Sequence, residues 1–72
     1  MLYVALTDKV IELTNARTSE DVLRLQTEAI DLIVEMERNN VIDWKQGFKE
    51  IDRVSAITKN MLDISFRKLA SI

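Results

Sequence analysis

Cysteine, histidine and proline are absent from the 72 residues, and glycine occurs once, at Gly47. Without cysteine there is no disulfide, no thiolate metal site and no thiol nucleophile. Without histidine the usual zinc ligand sets are missing, as are the Ser-His-Asp and Cys-His arrangements of nucleophilic catalysis. One glycine cannot build a loop that cradles phosphate. So few turn formers also argue against a sheet protein, and a hydrophobic content of 47% is too high for a disordered chain. Helices are left, with no cofactor, no metal and no enzymatic activity expected.

Long apolar runs are lacking too. Residues 1–6 are apolar, but no basic residue precedes them and Asp8 and Lys9 cut the run short, so neither a signal peptide nor a membrane span is expected. The absence of cysteine fits a reducing compartment, and a cytoplasmic location is the expectation. A single domain of this size buries only about 60% of the surface its unfolded chain exposes, which makes a monomer marginal and self-association a common remedy. Charge is unevenly spread: residues 1–43 carry nine acids against four bases, residues 44–72 three acids against six bases. That asymmetry bears on partners and not on fold.

Hydrophobic spacing divides the chain into helices over about residues 2–15, 19–38 and 43–71. In the first, Leu2, Leu6, Val10 and Leu13 share a face, opposite Asp8, Glu12 and Asn15. Thr18 has the hydroxyl to cap the second helix, and Glu20 and Asp21 put negative charge at its positive end. Val22, Leu25, Ala29, Leu32 and Met36 then follow the alternating three-and-four spacing of a coiled-coil seam, beside a second line of Leu23, Ile30 and Val34. Gln26 and Glu37 fall between the lines, where they would set register. Ion pairs of Glu20 with Arg24 and of Glu35 with Arg38 are expected on the remaining face. Asn39 and Asn40 suit a left-handed helix end, and Asp43 with Gln46 three residues on has the pattern of a capping box.

The third helix holds the only Trp and both Phe. Trp44, Phe48, Ile51, Leu62, Phe66 and Leu69 share one face, with Ser55 and Thr58 at its middle, Val54, Met61 and Ile72 form a neighbouring line, and Ile57 and Ile64 a third. Trp44 and Phe48 are expected in the core, against the apolar face of the first helix. Gly47 costs about 1 kcal/mol relative to Ala inside a helix, which points to a close backbone crossing. Unbroken, this helix would be about 43 Å long against about 30 Å for the second.

The fold expected is therefore an all-α, small antiparallel three-helix bundle with a long C-terminal helix, dimerising to cover surplus apolar surface. Ile57, Met61, Leu62, Phe66, Leu69 and Ile72 are the expected protein-interaction residues, with Leu62, Phe66 and Leu69 as anchors. Lys45, Lys49, Arg53 and Arg67 form a basic row suited to an acidic partner or to a phosphate backbone. Glu28, Asp31 and Glu35 have spacing a metal could use, but they fall on the solvent side and no histidine completes them. The function these features support is a non-catalytic protein-protein interaction module, an adaptor, inhibitor or regulator working as a homodimer. The alternative is a dimeric DNA-binding regulator using the basic row. Membrane contact is not expected.

Overall fold

Three α-helices, α1 (Leu2–Thr14), α2 (Ser19–Arg38) and α3 (Trp44–Ala70), make up the computed structural model, which describes the backbone of residues 2–70 and the side chains of residues 3–63. They are 13, 20 and 27 residues long, and no strand occurs among the described residues. The particle measures 47 × 20 × 14 Å.

The breaks between helices use the chemistry of their own residues. Thr18 is extended (φ −122°, ψ 153°) and its Oγ1 accepts from the amide of Asp21 at 3.1 Å, which satisfies one of the free amides of α2's first turn. At the other end Asn40 takes the left-handed conformation (φ 58°). The amide of Asn40 donates to the carbonyl of Glu37 at 3.1 Å and that of Val41 to Met36 at 2.9 Å, the paired bonds of a Schellman motif. Two residues on, Asp43 Oδ1 accepts from the amide of Gln46 at 2.8 Å and α3 begins.

Each helix packs on both others. The core consists of Leu6 and Leu13 from α1, Val22, Leu25, Ala29, Ile33 and Met36 from α2, Ile42 from the second connection and Val54 from α3. Ile33 takes the seam position expected for Leu32, which is only half-buried. Thr58, also buried, donates its hydroxyl to the carbonyl of Val54 at 2.9 Å, so burial leaves it satisfied.

On α3 the buried line lies to one side of the face the apolar spacing singled out. Gly47, Val54 and Thr58 point inward and Ile51 and Leu62 are half-buried, whereas Trp44 and Phe48 are 71% and 64% exposed. The expected place of Trp44 and Phe48 in the core is thus overturned: the helix is rotated by roughly 60°, less than the 100° step of one residue. The cause lies in two places. Ile42 and Met36 already fill the end of the bundle where α3 begins. In addition, α1 lies along the Glu50 and Arg53 side of α3, away from the aromatic rings. Nor is Gly47 a backbone crossing. A Cβ built there would fall on Glu37 Oε1, so what lies over the glycine is the end of a side chain.

Candidate interaction surface

Among the described residues the largest exposed apolar side chains begin where α2 hands over to α3. The left-handed Asn40 turns the chain, buried Ile42 pins it to the core, and the Asp43 cap sets where α3 starts. With that phase fixed, Trp44 and Phe48, one turn apart, project outward, and Ile51 continues the same line half-buried against the core. Val41 is half-exposed just before them. Large aromatic side chains seldom stay in water, and an exposed Trp beside an exposed Phe is the composition of an interface centre. Lys45 Nζ stands 5.8 Å from the centroid of the Trp44 ring, within range of a cation–π contact worth about 0.5–1 kcal/mol at an exposed site.

A second apolar line lies beside this one. Asp8, Lys9 and Glu12 of α1 face Glu28, Leu32 and Glu35 of α2 across one groove, and α1 meets Glu50 and Arg53 of α3 across another. The remaining flanks of α2 and α3, those turned from α1, meet on the third side of the bundle. On α2 that flank holds Glu37, which covers Gly47, and the line of Leu23, Ile30 and Val34; on α3 it holds Trp44, Phe48 and Ile51. Leu23 and Val34 are half-exposed, and Ile30 packs partly onto the core. By helical phase the two aromatic rings and the aliphatic line therefore lie on the same side of the bundle, the one turned from α1.

Charge is distributed around these elements. Lys45 and Lys49 are exposed and make no ion pair among the described residues, and Arg53 reaches Glu50 only at 3.9 Å. Across the molecule, the groove between α1 and α2, ≈ 480 Å³ in volume, is rimmed by Asp8, Glu12, Glu28, Asp31 and Glu35. Lys9 reaches Glu28 at 3.5 Å and Glu12 at 3.6 Å, and Arg24 pairs with Glu28 at 3.3 Å and Asp21 at 3.6 Å, not with Glu20 as expected. The pairs of Arg24 are exposed and those of Lys9 partly buried, on a scale of a few tenths of a kcal/mol to about 1 kcal/mol each. No group of acidic residues suited to a metal ion occurs among the described residues, and no helix described is long and apolar enough to cross a membrane.

Of the interaction residues expected on α3, Ile57, Met61 and Leu62 are half-buried and packed against the core. Phe66, Leu69 and Ile72 lie outside the residues whose side chains are described, as does Arg67. Lys45, Lys49 and Arg53 stand in a row on the solvent side. Spacing alone missed Trp44 and Phe48 as surface residues. Gly47, which bordered the expected face and leaves room for the Glu37 side chain, is the signal that points the other way. Compared with protein-family models, with curated proteins and with solved structures, the chain has no match.

Proposed function

We propose that the protein is a non-catalytic protein-protein interaction module, an adaptor or regulator, whose working element is α3 on an antiparallel three-helix scaffold that self-associates. One observation carries this reading: Trp44 and Phe48 stand in water although the chain has a core to bury them in. Alanine scans of interfaces place most binding energy on a few such aromatic anchors. The α2 face with Glu37 and the buried line of Gly47, Val54 and Thr58 hold α3 rigidly, so its outer side is presented without an ordering cost. The half-buried Leu62 continues the line of Trp44, Phe48 and Ile51 towards the C-terminal turns of α3, while Ile57 and Met61 pack on the core from the other side of the buried line.

The test is Trp44→Ala beside Lys49→Glu in a pull-down with the tagged full chain, each variant's helicity being checked by circular dichroism. Loss of partner capture with Trp44→Ala, by tenfold or more if the ring is a hot spot, is the expected outcome. Capture unaffected by Trp44→Ala would remove this face as a docking surface.

A second reading, a dimeric regulator that contacts DNA through Lys45, Lys49, Arg53 and Arg67, is favoured by the exposure of the first three beside two aromatic rings. Rings next to a cationic row are how single strands are held. Against it stands the acidic balance of the whole chain, −2. Binding of this kind weakens steeply between low and moderate salt, with a slope reduced by about one per cation removed, so Lys49→Glu and a salt titration decide it.

A further inference from the structure

We propose that the outer α2/α3 face is occupied by a second copy of this chain, Trp44 and Phe48 of each copy seating against Leu23, Ile30 and Val34 of the other across a two-fold axis. This rests on the reading of α3 as the docking element and names what docks. The layout of the face fits: an isologous contact needs complementary parts on the same surface, so that each copy supplies what the other lacks. Here helical phase puts the two rings of α3 and the aliphatic line of α2 on one flank, so a two-fold axis can bring each set onto the other.

Area supports the same occupant. Aromatic side chains bury roughly 150–250 Å² each, so at 71% and 64% exposure the two rings leave about 250 Å² uncovered. Leu23 and Val34, each near half exposure, raise this to about 400 Å². An apolar area of about 400 Å² is the size of the largest patch on a typical monomer, and such patches are often functional. Apolar atoms make up about 57% of an ordinary interface, so about 400 Å² implies about 700 Å² per copy, close to the roughly 800 Å² that each partner of a stable complex contributes. Among the described residues the large exposed apolar side chains of α1, Tyr3, Val4 and Ile11, include one aromatic and are spread over two sides of that helix, so they fall short. A chain this small, without cysteine for a disulfide, also gains buried apolar surface by pairing.

Trp44 is the only tryptophan, so its fluorescence reports on this face alone. The experiment measures mass by sedimentation, Trp44 emission and acrylamide quenching on the full chain over a wide concentration range, for wild type and Phe48→Asp. The expected result is a wild-type dimer whose emission shifts to shorter wavelength on association, with quenching reduced about threefold as the ring enters the dry centre of an interface. Phe48→Asp should be a helical monomer with solvent-exposed Trp44. A wild-type monomer, or a dimer in which Trp44 stays fully quenchable, overturns the second copy as occupant while leaving the face open to a foreign protein. An unfolded Phe48→Asp whose Phe48→Ala counterpart also melts far below wild type when both are monomeric would place Phe48 in the bundle core and overturn both readings.

Discussion

Trp44 and Ile33 are both large apolar side chains one would assign to a core, and the fold treats them oppositely: Ile33 has no exposed surface, Trp44 is mostly in water. Truncation should separate them. Ile33→Ala leaves a cavity in the middle of the bundle and should cost about 2–5 kcal/mol, a large part of the roughly 5–15 kcal/mol available to a domain. Trp44→Ala, measured at a concentration where the chain is monomeric, should cost less than about 1 kcal/mol, the scale of its contact with Lys45 and of surface substitutions generally. Urea unfolding of the two variants checks this, and a cost for Trp44→Ala matching that of Ile33→Ala would return the ring to the core. Gly47 offers a second residue-scale test. A methyl group there collides only with the flexible end of Glu37, so Gly47→Ala should gain up to about 1 kcal/mol of helix propensity once that side chain is shortened. In the Glu37→Ala background the substitution should therefore stabilise, and in the wild-type background it should gain less. A loss in both backgrounds would mean that backbone, and not a carboxylate, lies over the glycine.

The ends of the helices were legible because single residues determine them. Thr18, Asn40 and Asp43 each perform the hydrogen bonding or the dihedral that their side chain or backbone preference suggests, and α2 and α3 start and stop where those residues stand. Asn40 therefore yields an element-scale prediction. Its positive φ costs an ordinary L-residue about 1–2 kcal/mol, so Asn40→Ala should lower the unfolding free energy by about 1 kcal/mol. Asn40→Gly should be neutral or stabilising, and thermal melts of the pair check the order; a reversed order would mean the Schellman bonds at Met36 and Glu37 are not what closes α2. The rotation of α3 was not legible in the same way. Two apolar lines run along it, Trp44, Phe48, Ile51 and Leu62 on one, Val54 and Met61 on the other, and periodicity cannot say which turns inward. The choice is made by what the neighbours leave room for. Ile42 and Met36 fill the end of the bundle, and Glu37 needs a residue without a side chain beneath it, which only the line with Gly47 supplies. The candidate site was half visible for the same reason: its cations and its helix could be named, but not which apolar residues the rotation would leave outside.

For the whole molecule, the deciding quantity is how stability depends on concentration. If the face carrying Trp44, Phe48, Leu23 and Val34 is covered by a second copy, folding and association are linked, because the folded chain is the one that pairs. Each tenfold rise in protein concentration then adds about 1.4 kcal/mol per dimer, or about 0.7 kcal/mol per chain. For a domain of 60–100 residues about 1 kcal/mol corresponds to roughly 4–8 °C, so the melting temperature should climb by about 3–5 °C per decade of concentration above the dissociation constant. Phe48→Asp should abolish that slope and leave the melting temperature near the low-concentration limit of the wild type, since an exposed side chain contributes little to the monomer. The uneven charge gives the same measurement a further use. With Lys45 and Lys49 at the rim of the face and its centre apolar, added salt should change the wild-type slope only modestly, because burial of apolar surface is not screened. A slope that vanished in high salt would instead assign the association to the acidic half of one chain meeting the basic row of another, through a different pair of surfaces and without the aromatic rings at its centre.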